Sequence, residues 1–305
     1  MLCSCGRPHI TTLAEKDADQ IAIDDLSAQL RDTKGPQRQI LIAKIAALKI
    51  AVKADKDFRR SLKRSHRELS ANLSSALELT SAEQLLMLSR DELSEFILAS
   101  GLGLAVDDFI GASDAVAAAA LDTLQTIIGA VDPAELPSID ALKLATADQV
   151  FQDVILPSTL QATRTALEGM TVGVPKASAI KAMDQRLESI VGTQMTQVNT
   201  ELSQFGRAVT ASAAQAFDLD LYLYTGPRDG VTRAFCRPLI NKVVSETQMN
   251  RLDNGQGLPV KTSCGGYNCR HSWSPVTESF VEAAGLPRAA NHKLTKAHDK
   301  SKKRT

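Results

Sequence analysis

Three cysteines and one histidine in the last third of the chain are of the residue types that bind a metal ion. They are Cys236, Cys264, Cys269 and His271. Three thiolates and one imidazole form a complete tetrahedral shell of the kind that holds structural zinc. Only Arg270 separates Cys269 from His271, so both side chains point the same way if the backbone is extended there. The spacing predicts a zinc site and leaves two alternatives, which are buried free thiols or a disulfide between Cys236 and Cys264.

A second group of the same residue types lies at the start of the chain, at Cys3, Cys5 and His9. This group either binds a metal, alone or by lending a ligand to another site, or consists of exposed thiols. Cys269 and His271 would also suit a nucleophile and its base, but no orienting carboxylate or oxyanion donor is evident beside them. The sequence contains no Gly-rich phosphate loop, HExxH or GxSxG motif. We therefore predict no catalytic residues and no enzymatic activity.

The charges are balanced overall but unevenly distributed. The 305 residues hold 35 basic and 35 acidic side chains, which excludes a uniformly basic nucleic-acid coat. Residues 1–100 carry a net charge of +1, residues 101–200 of −7 and residues 201–305 of +6. Two basic clusters are evident, at Arg38–Arg67 and in the tail Lys293–Arg304. Each is either a solvated surface or a contact for a polyanion, because neutralised phosphates release counterions.

These two clusters supply the predicted nucleic-acid contacts. Basic residues in the first cluster recur at i, i+4 spacing and therefore share one face of a helix. The predicted contacts are Arg59, Arg60, Lys63, Arg64, Arg67, Lys300, Lys302, Lys303 and Arg304. The alternative for the helical residues is an ordinary solvated helix face.

The composition favours a helical protein made in a reducing cytoplasm. Aromatic residues make up only 4% of the chain, and alanine and leucine supply most of its apolar side chains. Five cysteines are an odd number, which favours free thiols or metal ligands over a disulfide framework. We expect no secretory signal, because no basic region precedes an apolar run at the start. We expect no membrane span either, because four aspartates interrupt the most apolar stretch, residues 102–131.

Hydrophobic periodicity predicts a mostly α fold that ends in a small α+β Cys/His module. Residues 10–33 and 37–78 are expected to form a helical hairpin, which is broken at Gly35-Pro36. A long helix is expected from Pro175 to Phe217, and the alternating residues Leu219–Tyr224 predict a strand after it. Between the hairpin and the long helix we expect shorter helices.

This pattern divides the chain into four consecutive segments. We expect a hairpin with a basic face in residues 1–79, an acidic helical region in 80–174, the long helix with the Cys/His module in 175–277 and a basic, flexible tail in 278–305.

Several local signals place boundaries within the acidic helical region. Thr80 with Glu83 and Ser89 with Glu92 have the spacing of capping boxes, so helices should begin there. Gly101 and Gly103 are expected to end a helical unit. Kinks or bends are expected at Gly111 and Pro157.

Two runs in the module resemble the tailed-phage head morphogenesis family, which comprises minor head proteins such as the F protein of phage Mu. The first run is Tyr224–Cys236, which contains Asp229, Thr232 and Arg233, and the second is Cys264–Trp273. The resemblance covers residues 180–277, including the long helix. The commoner closing pattern of that family places a histidine before a Cys-Arg-Cys run, whereas here the cysteine comes early and the histidine late. This exchange preserves a complete metal shell.

The resemblance implies a minor structural component of the virion, in the head interior or near the portal, made in the host cytoplasm. Its expected partners are the portal, a capsid or scaffold protein, and packaged DNA, with several copies in each virion. Two other functions stay open: a DNA-binding accessory protein and, more remotely, a metal-dependent nuclease. A nuclease would need an open metal position, and a complete shell of three cysteines and one histidine closes it.

Overall fold

A computed structural model describes residues 14–129, 136, 139–291 and 294 of the chain. It confirms the predicted fold class, which is mostly α with a small α+β module near the C-terminus. The helices are α1 (Ala14–Asp32), α2 (Pro36–Leu79), α3 (Ala82–Leu86), α4 (Arg90–Ile97), α5 (Gly103–Ile128), α6 (Ile139–Gln149), α7 (Leu156–Thr171), α8 (Lys176–Ala216), α9 (Glu246–Met249), α10 (Val260–Ser263) and α11 (Glu278–Ala283). The strands are β1 (Leu221–Thr225), β2 (Val243–Ser245) and β3 (Ser272–Val276).

The first two helices form the predicted hairpin. Ala22 and Leu26 of α1 pack in one buried cluster with Leu41 and Ile45 of α2, because apolar residues three or four apart share a helix face. Gly35 adopts a φ of 65° between the two helices, a conformation that glycine reaches without steric cost. The break that the sequence predicted therefore lies where it was expected.

The start of α3 corrects one predicted capping box. Ser81 is the N-cap: the Gln84 N–H donates to Ser81 Oγ at 3.2 Å, and the Ser81 N–H donates to Gln84 Oε1 at 2.9 Å. The prediction of Thr80 with Glu83 was wrong by one residue. The Thr80 N–H still donates to the carbonyl of Ala76, so Thr80 closes the last turn of α2 and cannot begin the next helix.

The second predicted capping box, Ser89 with Glu92, is confirmed at the start of α4. The helical unit ends at Gly101, as predicted. The connection Leu98–Leu102 has non-helical backbone angles at Ser100 and Gly101, and the φ of Gly101 is 118°. A new helix, α5, begins at Gly103, so the chain is kinked between α4 and α5.

A π-helical turn lies directly before the proline that was expected to bend the chain. Val150–Ile155 forms this turn, and Pro157 occupies the first turn of α7. Proline lacks an N–H and its ring collides with the carbonyl four residues earlier in a regular α-helix. The wider turn before Pro157 therefore accommodates it and interrupts the regular α-helix there, whereas α5 runs through Gly111 as one helix.

The described residues form two compact units. One contains the described residues up to Val52, Ser113–Lys143 and those from Asn199 onward, and the other contains Lys53–Ala112 and Leu144–Val198. Neither unit is continuous in sequence, because α2, α5, α6 and α8 each contribute residues to both. The units therefore differ from the four consecutive segments that the sequence suggested.

The unit that contains Lys53–Ala112 has a small aromatic core. Phe58, Phe109 and Phe151 come from three different elements and meet edge to face, with ring centroids 5.9 to 6.3 Å apart. This is a favourable geometry for aromatic rings, because the positive edge of one ring faces the negative face of another.

The other unit contains the three-stranded antiparallel sheet, in the order β2-β1-β3. Successive side chains of β1 point to opposite faces of the sheet. Leu221 and Leu223 accordingly lie in one buried cluster, whereas Tyr222 and Tyr224 lie in a second one that also contains Cys236. The sheet is therefore packed on both faces, and one of them carries the cysteines.

Among the described residues, one helical stretch is long and apolar enough to cross a membrane. Within Arg90–Ile128 an 18-residue window has a mean hydropathy of 1.4, and 33% of it is buried. Length and composition alone are the criteria here, and core helices of soluble proteins meet them as well. A single stretch of this kind is weak evidence for a membrane span.

Candidate metal centre

Three of the four predicted ligands come together in one buried group. The donor atoms of Cys236, Cys269 and His271 all lie within 4.8 Å of one another, and this is the metal-ligand group found among the described residues. The two sulfur atoms are 3.8 Å apart, and Cys269 Sγ lies 3.7 Å from His271 Nδ1. A tetrahedral zinc ion with Zn–S bonds of about 2.3 Å and a Zn–N bond of about 2.0 Å would place its ligand atoms about 3.8 Å and 3.6 Å apart. The two distances that involve Cys269 Sγ thus fit a tetrahedral metal ion.

The sheet and the loops at its edge position these three residues. Cys236 lies in the turns that follow β1, whereas His271 comes one residue before β3. Because Thr225 at the end of β1 pairs with Ser272 at the start of β3, His271 is held at this end of the sheet. Residues 269–271 lead directly into β3, and the side chains of Cys269 and His271 point together, as the sequence predicted.

The imidazole of His271 is oriented by contacts on two sides. Its Nε2 lies 3.0 Å from the carbonyl oxygen of Pro227. An N–H at Nε2 donates to this carbonyl, and that tautomer leaves the Nδ1 lone pair facing Cys269. The ring of Tyr224 stacks on the imidazole, with 5.2 Å between centroids and 6° between planes. Metal-binding histidines characteristically donate their second ring N–H to such a carbonyl.

The two thiols of the group have opposite pKa shifts. A hydrogen bond from Cys236, contacts with His271 and the charge of Arg207 hold the pKa of Cys269 well below its usual range, despite burial. The same hydrogen bond and burial raise the pKa of Cys236. The Tyr224 hydroxyl donates to Cys236 Sγ at 3.2 Å, and the Gly265 N–H donates to Cys269 Sγ at 3.3 Å. Both sulfur atoms therefore have donors that stabilise a thiolate.

Cys264, the fourth predicted ligand, lies outside this group. Its side chain is fully buried, and burial raises its pKa to about 12. Its φ of 50° and ψ of −114°, with the Gly266 N–H donating to the Ser263 carbonyl at 2.8 Å, are those of the first central residue of a type II′ turn. Cys236, Cys264 and Cys269 are all free thiols, so the structure does not show the alternative Cys236–Cys264 disulfide.

Two glycines allow the chain to approach the ligands closely. A Cβ atom at Gly265 would lie 2.5 Å from Cys236 Sγ and 3.2 Å from Cys269 Sγ. A Cβ atom at Gly226 would collide with the His271 ring, and the φ of Gly226 is 157°.

Two arginines hold residues 262–271, the metal-site loop, and the sequence had singled out only Arg233. Arg207 of α8 donates to the carbonyl oxygens of Cys269, of His271 (3.1 Å) and of Thr262 (3.1 Å). Arg233 donates to the carbonyl oxygens of Gly265 (2.6 Å) and Tyr267.

A seven-residue repeat on α8 could have predicted the contact between Arg207 and the metal-site loop. Thr200, Arg207 and Ala214 are seven residues apart and all buried, and Thr200 Oγ1 donates to Asn268 Oδ1 of the loop at 2.9 Å. Because Thr200 and Arg207 are polar, apolar periodicity alone does not reveal this second buried face of α8.

Lys44 of α2 is a third basic residue beside the loop. Its Nζ donates to Ser272 Oγ at 2.8 Å. Burial, and secondly the charge of Arg207, lower the pKa of Lys44 to about 8. The side of the site near Ser272 is therefore rich in positive charge.

Asp229 and Trp273 have structural roles in the module. Asp229 Oδ1 accepts from the Val231 N–H at 3.1 Å and from Thr232 Oγ1 at 3.0 Å, and Asp229 Oδ2 pairs with Arg270 at 2.6 Å. Burial alone would raise the pKa of Asp229, but the bonds from Arg270 and Thr232 outweigh it and lower the pKa. Trp273, the only tryptophan, is buried in the cluster that also contains Tyr224 and Cys236.

The predicted nucleic-acid residues on α2 lie on the surface of one unit, and most of them form ion pairs. These pairs are Arg59 with Asp55, Arg60 with Asp57, Lys63 with Glu188, and Arg64 with Glu68 and Asp108. The Arg67 Nε donates to the carbonyl of Lys63. The predicted contacts Lys300, Lys302, Lys303 and Arg304, and the group Cys3, Cys5 and His9, lie outside the described residues.

Comparison with known proteins adds no further constraint on the site. The chain matches no family model, no curated protein and no solved structure.

Proposed function

We propose that Cys236, Cys269 and His271 hold one structural zinc ion, which fastens the metal-site loop to the sheet. The observation that carries this proposal is the proximity of three buried donor atoms, which all lie within 4.8 Å of one another. When bound, a zinc ion supplies a cross-link between parts of the chain that are distant in sequence. The donor set of sulfur and nitrogen atoms is the one that structural zinc prefers.

The chain's own residues prepare the site for that ion. The Pro227 carbonyl selects the His271 tautomer that leaves Nδ1 free, and Tyr224 fixes the plane of the ring. The Gly265 N–H stabilises negative charge on Cys269. A small module has a limited hydrophobic core, so a cross-link of this kind adds folding free energy where it is needed.

The whole chain, in this proposal, is a non-enzymatic minor head protein or internal virion protein of a tailed phage. Two features support it: the runs Tyr224–Cys236 and Cys264–Trp273 resemble that family, and a long helix leads into the module. The protein would be made in the host cytoplasm and would act by docking to the portal, a capsid or a scaffold protein. It would undergo no catalytic turnover.

Metal analysis tests the zinc site. Purified protein should contain about one equivalent of zinc, and a chelator should make residues 221–276 sensitive to protease. The variant Cys269→Ser should show that sensitivity without chelator, whereas Ser279→Ala, a change at an exposed hydroxyl away from the site, should not. Metal-free protein with unchanged protease resistance would contradict the proposal.

Mass spectrometry of purified particles tests the assignment to the virion. The chain should co-purify with heads through a density gradient, and disruption of its gene should yield defective or empty heads. A protein that stays in the soluble lysate while heads mature normally would refute this part of the proposal, and it would leave the zinc site untouched.

A DNA-binding accessory role is a second candidate, favoured by one surface feature of α2. Lys53, Lys56, Arg60, Lys63 and Arg67 are all exposed and follow one another at alternating spacings of three and four residues. They form a basic stripe about 21 Å long at 1.5 Å per residue. Retention on DNA should fall steeply with salt, by a slope of about 0.9 per phosphate contacted. Replacing all five residues by glutamine should abolish retention on DNA, and unchanged retention would exclude the basic stripe as the DNA contact.

A further inference from the structure

Arg207 is a buried cation without an acidic partner. Its side chain comes from the middle of α8, only 9% of the residue is exposed, and its hydrogen bonds go to three backbone carbonyls. Among the described residues no carboxylate lies within salt-bridge distance of it. A buried guanidinium stays charged and is costly to leave without a counter-ion. Arg207 therefore indicates that a negative charge belongs beside the metal-site loop.

The three-donor group does not supply that negative charge once it is loaded. Two thiolates from Cys236 and Cys269 would cancel the two positive charges of a divalent ion and leave the site neutral. A third thiolate would give a net charge of −1, which would offset part of the positive charge of Arg207 and Lys44. The positive charge around the site therefore favours one more anionic ligand.

Cys264 is the residue that can provide the third thiolate. It is fully buried in the same cluster as Cys236 and Cys269. It also occupies the first central position of a type II′ turn, where glycine is the usual residue. A side chain with a φ of 50° is strained, and strain of this kind persists where the side chain is used.

We propose that Cys264 is the fourth ligand of the metal centre and that Arg207 is the counter-charge of the resulting anionic site. This inference rests on the proposed zinc site and completes it. Rotation of the Cys264 side chain between staggered positions moves its sulfur by about 3 Å.

Cobalt substitution tests the role of Cys264, because sulfur-to-cobalt charge-transfer absorption grows with the number of thiolate ligands. The variant Cys264→Gly suits the type II′ turn and should therefore fold. Its charge-transfer absorption should fall by about one third, and its zinc affinity should fall by more than the roughly tenfold loss typical of outer-shell changes. Absorption and affinity equal to those of the wild type would overturn the proposal and indicate solvent in the fourth position.

Substitutions at Arg207 test the counter-charge. Arg207→Lys keeps the positive charge but loses the forked hydrogen bonds, whereas Arg207→Gln keeps some hydrogen bonding and loses the charge. We expect zinc affinity to fall about 10- to 100-fold in the glutamine variant and much less in the lysine variant. Equal losses in both would show that Arg207 only clamps carbonyls.

The outcome for the wild-type protein separates this inference from the proposed function. A wild-type chain that binds no zinc or cobalt defeats both. A wild-type chain that binds cobalt with the absorption of two thiolates keeps the metal site and defeats only the role of Cys264.

Discussion

One added methyl group at Gly265 is expected to disable the metal centre. In Gly265→Ala the new Cβ atom would lie 2.5 Å from Cys236 Sγ and 3.2 Å from Cys269 Sγ. The ordinary contact distance is between 3.4 and 4 Å. Cys236 Sγ must therefore move by about 1 Å, and ligand distances in metal sites tolerate only about 0.2 Å.

The magnitude follows from the share of binding that one ligand supplies. Structural zinc sites bind with about 10 to 16 kcal/mol in total, or roughly 3 kcal/mol for each of four ligands. Displacing one sulfur should therefore weaken zinc binding by about two orders of magnitude. The crowded loop should also destabilise the metal-free protein by about 1 to 3 kcal/mol.

A zinc competition titration with a chromophoric chelator measures this effect, and Gly230→Ala is the matched control. Gly230 lies in the same module, is exposed and has no atom within 4 Å of an added Cβ atom. The control should bind zinc like the wild type. If Gly265→Ala binds zinc as tightly as the control, the two sulfur atoms do not form the site described above.

Three further predictions concern other parts of the chain. Burial lowers the pKa of His66 from 6.5 to about 4. Its contribution to stability is therefore complete above pH 6.5, and about 3 kcal/mol is lost as the pH falls towards 4. The unfolding free energy from urea titrations should show this pH dependence in the wild type, and the same dependence in His66→Gln would contradict it. Phe58→Ala should lower the unfolding free energy by about 3 to 5 kcal/mol through the cavity that it leaves, and a urea-measured loss below about 1 kcal/mol would mean that the aromatic core is not packed as described. Ser81→Ala should cost about 1 kcal/mol in thermal unfolding and Thr80→Ala much less, because only Ser81 caps α3; the reverse order would restore the box predicted from the sequence.

Residue types and spacing predicted much of the fold and most of the metal site. Apolar periodicity located the hairpin and the long helix, because burial of one face determines where such helices form. The pairing of Cys269 with His271 followed from their separation by one residue, in a segment that leads into β3. These features depend on local geometry that a single segment specifies.

Tertiary contacts explain what the sequence did not reveal. Arg207 is distant in sequence from the loop that it holds, and its role depends on which face of α8 meets that loop. The boundary at Ser81 depended on a single hydrogen bond of Thr80 to the preceding turn. The placement of Cys264 outside the three-donor group depends on a turn type that glycine would normally mark.

The number of residues in the π-helical turn Val150–Ile155 determines how α6 continues into α7. A π-turn contains one residue more than the α-helical turn that it replaces. Because the wide turn absorbs this extra residue, deleting one residue there would restore regular winding and keep the helix faces on either side in phase. Thr146 and Ala147 would stay buried, whereas Pro157 would lose the wide turn before it. A deletion within the regular part of α6 would instead rotate the residues before it by about 100°.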